Sequence, residues 1–127
     1  MMDNKVYQLA HDLVTLTQRD YEKTDESDTE YKYWHKNAKG ILVKLLKLLG
    51  ASVVEIAKRN YYDLTGYFAL GEQWYYIAIC DIRDDKMDML IRKVEDNKDT
   101  LGQFNQFVNL TDEEAFVEEI SKILGVK

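Results

Sequence analysis

Apolar and polar positions along this chain of 127 residues change their period twice, from helical to strand-like and back to helical. Val6, Leu9, Ala10, Leu13, Val14, Leu16 and Tyr21 recur at the i, i+3, i+4 spacing of an amphipathic helix. The spacing predicts a first helix from an N-cap at Asp3 to about Tyr21. A run of charged and polar residues then reads as a surface connection. Ser27 and Glu30 stand three apart, as in a capping box, where the hydroxyl accepts from the N3 amide and the carboxylate reaches back to the cap. A second helix is therefore expected to Leu49, stopped by Gly50. Trp34, Ala38, Ile41, Leu42, Leu45, Leu48 and Leu49 share its apolar arc, and Lys32, Lys36, Lys39, Lys44 and Lys47 fall on the opposite one. Gly40 costs this helix about 1 kcal/mol relative to alanine, which suggests a kink or a close helix crossing.

From residue 52 the period falls to two. Strands are expected at 52–59, 62–70, 73–83 and 87–95. The third is apolar on both sides: Trp74, Tyr76, Ala78, Cys80 and Ile82 point one way, Tyr75, Ile77 and Ile79 the other. Each side must then be covered, by helices, a second sheet or a partner chain. Gly71-Glu72 suits a two-residue hairpin, which sets Phe68 opposite Tyr75 and Leu64 opposite Ile79. For the next hairpin a four-residue loop, Asp84 to Met87, sets Arg83 opposite Asp88 and avoids facing Asp81 with Asp88. One face of the sheet would then hold Leu64, Phe68, Ile77, Ile79, Leu90 and Val94. The other would hold Tyr67, Trp74, Tyr76, Cys80, Ile82, Met89 and Ile91. Residues 96–109 read as a long amide-rich loop. Thr111 and Glu114 form a second capping box, and the last helix buries Phe116, Val117, Ile120, Ile123 and Leu124 before Gly125 ends it. The expected architecture is a single α+β domain over residues 1–127, with two N-terminal helices, a four-stranded antiparallel β-meander and one C-terminal helix.

Composition narrows the setting. A single cysteine excludes an internal disulfide, and Cys80 in mid-strand reads as a buried, reduced thiol. With no signal-peptide pattern at the start and no apolar run long enough to span a bilayer, a cytoplasmic protein without a membrane partner is expected. The net charge of −6 is uneven: −5 over residues 1–30, +6 over 31–60, −4 over 61–100 and −3 beyond. The acidic whole repels nucleic acid at long range, and only the lysine face of the second helix would attract it.

The candidate chemistry is mostly that of contact surfaces. Tyr, Trp and Met bury much area with few rotors, so Tyr67, Trp74, Tyr76 and Met89 are candidate protein-binding residues. Phe104, Asn105 and Gln106 join them from the long loop, as anchors with amides that both donate and accept. Lys32, Lys36, Lys39, Lys44 and Lys47 are the alternative, a surface for nucleic acid. Six carboxylates between Asp20 and Glu30 read as a solvated connection, with charge mimicry of nucleic acid as the rarer alternative. A metal-dependent hydrolase around Asp81 is the third possibility, but the expected register turns Asp63 and Asp81 to opposite sides, and Arg83 cannot act as a base. His11 and His35 lie on different helices with no Cys or Asp pattern beside them, so no nucleophilic set and no zinc site is expected. No cofactor motif stands out, a lone Gly102 being no phosphate loop. The expectation is a non-catalytic protein-binding module, a regulator or inhibitor working on another protein or on itself as a homodimer. Small acidic proteins of mobile elements offer an analogy.

Overall fold

The computed structural model describes residues 4–19, 29–57, 63–80, 82 and 87–126. The first two helices are α1 (Asn4–Thr17) and α2 (Thr29–Leu48). Five strands follow: β1 (Val53–Ile56), β2 (Leu64–Leu70), β3 (Gln73–Ile79), β4 (Asp88–Val94) and β5 (Gln106–Asn109); α3 (Glu113–Leu124) closes the chain. All neighbours in the sheet are antiparallel, in the order of the sequence. The α+β class with its flanking helices is as expected, with one strand more. Asp3, Tyr21, Ser27, Asp81 and Asp84 lie outside the described residues.

Local chemistry sets the element ends. Gly50, at φ 108°, lets its own amide bond back to Lys47 and the Ala51 amide to Leu46, so two orphan carbonyls of α2 are satisfied. Gly125 does the same for α3 through Lys122 and Ser121. The N-cap of α3 is Asp112, which accepts from the Glu114 amide, and not Thr111. Thr111 instead donates through its amide and its hydroxyl to the Asn109 side chain. The aspartate cap and its asparagine turn displace the expected threonine box.

The β2–β3 hairpin has the expected two-residue turn and register, with Phe68 opposite Tyr75 and Leu64 opposite Ile79. The β3–β4 register differs by three residues: Ile79 faces Met89, Ile77 faces Ile91 and Tyr76 faces Arg92. An odd shift turns every side chain of β4 over. Met89 and Ile91 are therefore fully buried on the face with Leu64, Phe68, Ile77 and Ile79, while Leu90, Arg92 and Val94 lie on the other. The expected register would have placed the Arg92 guanidinium among those buried residues. Burying a charge without a partner costs several kcal/mol, against less than about 1 kcal/mol for like charges facing across a sheet.

All three helices cover that one face. Val6, Leu13, Trp34, Leu42, Leu45, Phe116 and Ile120 join Leu64, Phe68, Ile77, Ile79, Met89, Ile91 and Val108 in a single hydrophobic cluster. Ile82, expected on the opposite face, lies past the end of β3 and turns into this cluster. The Trp34 indole donates to the Thr17 hydroxyl, which ties α2 to α1 inside it. Gly40 is exposed and a Cβ there would meet no atom within 4 Å, so among the described residues the expected close crossing is absent.

Candidate protein-binding face

The helix-free face of the sheet carries a row of five side chains, Glu55, Tyr67, Tyr76, Arg92 and Asn105. The ladders align the first four across β1 to β4, and Asn105 just precedes β5. The Tyr67 and Tyr76 rings meet edge to face at 5.4 Å, and the Arg92 guanidinium sits 4.4 Å from the Tyr76 ring centre. A guanidinium over an aromatic face gains quadrupole attraction while its donors remain available.

Those donors hold residues 95–103, which cross this row as a strap. Arg92 donates to the Thr100 carbonyl and to Asn105, Tyr67 donates to the Asp99 carbonyl, and Asn97 donates to the Glu55 carboxylate at the far strand. Asp99 shapes the strap: its carboxylate accepts from the amides of Glu95, Leu101 and Gly102 at 2.9, 2.9 and 3.0 Å. Gly102 (φ 62°) lets the chain close on β4, since a Cβ there would stand 2.7 Å from the Lys93 carbonyl oxygen. The Gln103 amide then donates to that same carbonyl. Thus the chain's own strap covers part of the second side of the sheet and leaves Trp74 and Tyr76 half-buried.

Charge follows this geometry. The three amide donors, that of Glu95 first, hold the Asp99 carboxyl below its ordinary value of 3.8. Its stabilisation of the strap is then complete above that unfolded value and lost as pH falls through the lowered folded one. Below pH 3.8 the amides of Leu101 and Gly102 are expected to lose hydrogen-exchange protection while those of Ile77 and Ile79 keep theirs. Asp99→Ala is expected to do the same at neutral pH; a strap equally protected in that variant would refute the role. Burial pushes the Tyr76 hydroxyl up, against the opposing pull of Arg92.

Of the expected contact residues, Tyr67, Trp74 and Tyr76 do share the strapped face and are half-buried there, and Phe104 and Asn105 are exposed beside it. Met89 is not among them, because it is sealed under the helices, and Gln106 points its half-buried side chain to that same helix-covered side. Cys80 is exposed, contrary to the buried thiol expected, because β3 ends at Ile79. The sequence reading missed Arg92 and Asp99, which organise the strap, and Leu101. The Asp96-x-x-Asp99-x-x-Gly102 spacing, with side chains that bond their own backbone amides, was the available signal.

Three large apolar side chains stand out of the strap and β5: Leu101 at 83% exposed, Phe104 at 77% and Phe107 at 53%. The α2 lysines Lys32, Lys36, Lys44 and Lys47 are exposed and Lys39 half-buried. Lys44 and Lys47 meet Lys5 of α1 around a groove of 500 Å³ floored by Leu9 and Leu48. Among the described residues no three acidic, histidine or cysteine side chains gather as a metal would need, and no helix is long and apolar enough to cross a membrane. Set against known proteins, the chain matches no family model, no curated protein and no solved structure.

Proposed function

We propose that this protein works by binding another polypeptide, as a regulator or inhibitor without chemistry of its own, through the strapped side of the sheet. The observation that carries the reading is the exposure of Leu101, Phe104 and Phe107 together. They lie within seven residues, on a segment held in place by Asp99, Arg92 and Gly102. A fixed apolar surface loses little entropy on binding, and aromatic anchors dominate association energies. Trp74, Tyr67 and Tyr76 extend the surface and Asn105 supplies an adaptable amide.

A photo-crosslinking residue tests this when placed at Phe104 and, as control, at Tyr33, which is also exposed but lies on α2. In the protein's own host cells, adducts to protein are expected from position 104 and not from position 33. Adducts from neither position, or equally from both, would refute the reading.

Nucleic-acid binding by the lysine face is the weaker reading. The chain carries −6 overall and repels a polyanion at long range, and the lysines that the fold brings together surround an apolar floor of Leu9 and Leu48. Retention of DNA or RNA on a filter at low salt, lost in Lys44→Glu with Lys47→Glu, would favour it instead.

A further inference from the structure

The run from Thr100 to Thr111 contains twelve residues and no charge, the longest uncharged stretch in a chain that is 31% charged. The next longest, 64–71 and 73–80, are strands of the sheet interior. This one runs from the exposed strap into an outer strand, with only Val108 and Leu110 fully buried. The edge of a sheet offers unpaired backbone groups, and natural edges are usually blunted with charge, proline or cover. Proline is absent from the chain, and no charged residue occurs in β5.

The parity of β5 shows which groups face outward. The Leu110 amide donates inward to the Met87 carbonyl, and the Asn109 amide turns outward to the Glu119 carboxylate at 2.7 Å. Alternation then turns the amide and carbonyl of Phe107 outward too. Glu119 stops the edge at Asn109, so among the described residues the available stretch is Asn105 to Phe107.

We propose that a second copy of this chain pairs with that edge, antiparallel about a two-fold axis at Gln106, so that two five-stranded sheets become one of ten strands. Asn105 of each copy then faces Phe107 of the other, the two Phe107 rings meet diagonally across the axis, and each Asn109 amide keeps its Glu119. A closed two-fold pairing uses one patch twice and so demands self-complementarity. An antiparallel strand with amide side chains supplies it, since amides both donate and accept. Charge sets where two copies can meet: at −6 each they repel overall, and this uncharged seam is where they approach with the smallest penalty.

The proposal rests on the reading of this segment as an association surface. Light scattering on the intact chain is expected to give twice 14.9 kDa, and added salt, which screens the repulsion between two acidic copies, is expected to keep or strengthen the pairing. Phe107→Lys and Phe107→Glu are each expected to give the single-chain mass, because like charges then meet across the axis. Their equimolar mixture is expected to regain the doubled mass, which also shows that both variants fold. A single-chain mass for the unmodified protein, a doubled mass for either variant alone, or no recovery in the mixture would each overturn the pairing. If adducts from position 104 are still seen in that case, the binding surface stands and only the second copy is lost; without adducts both are lost.

Discussion

Trp34→Ala is expected to lower the unfolding free energy by about 3–5 kcal/mol, a large part of the 5–15 kcal/mol that holds a domain of this size. Trp34 is among the largest fully buried side chains, and it sits where α2 meets α1 in the shared cluster. Truncation leaves a cavity in the shared cluster that the surrounding core side chains can fill only by moving the helices. It also takes the indole donor from the buried Thr17 hydroxyl, a further loss of about 1 kcal/mol. The chain has two tryptophans, so Trp74 remains as the fluorescent reporter of a urea titration. Trp34→Phe keeps much of the volume and is expected to cost roughly half as much. A loss below about 1.5 kcal/mol for the alanine variant would mean that the site collapses freely, contrary to the close packing described.

Gly66→Ala is expected to cost about 2–3 kcal/mol, although it adds one methyl group. A Cβ on Gly66 would overlap the Glu55 carbonyl oxygen and stand 2.8 Å from the Ile56 Cα, both backbone atoms of β1. Backbone cannot swing aside as a side chain does, so β1 must move off β2, exposing Val54 and Ile56. Loss of hydrogen-exchange protection at β1, with β3 and β4 unaffected, would mark the cause. The same change at Gly40 is expected to stabilise the chain by about 1 kcal/mol, since the new methyl meets no atom within 4 Å and α2 gains helix propensity. Equal effects at the two glycines would contradict the geometry.

These glycines also show what the sequence could and could not convey. Both look alike in one dimension. Gly40 interrupts a helical pattern and suggested a close crossing that is not there, while the glycine with a steric duty sits unremarked in β2. The pairing of β2 with β3 was legible because Gly71-Glu72 leaves room for one turn length only. The pairing of β3 with β4 was not, because the residues between them fit several loop lengths. Facing Asp88 with Arg83 rather than Asp81 is worth less than about 1 kcal/mol, whereas burying Met89 and Ile91 is worth roughly 1.5–3 kcal/mol each. Burial therefore sets the register, which takes Met89 under the helices and brings Arg92 to the strapped face.

β5 carried little signal of its own. Val108 is its one fully buried side chain, and an outer strand with polar neighbours lacks clear alternation. The functional suspicion about Phe104 and Asn105 rested on side-chain chemistry alone, and the structure places both beside the strap. What no pattern could reveal is that Asp99, Arg92 and Tyr67 hold a polar segment across a sheet, because those contacts join residues up to 32 positions apart.

The most direct test of an association surface on the strap and β5 is hydroxyl-radical footprinting of the chain, free and associated. In the free state Leu101, Phe104 and Phe107 are expected to react much faster than the buried Phe68 and Phe116. On association, protection is expected at those three positions while Tyr7 and Tyr33 on the helices stay reactive. Low reactivity of Phe104 already in the free chain, or protection that falls on Tyr7 and Tyr33 instead, would contradict it.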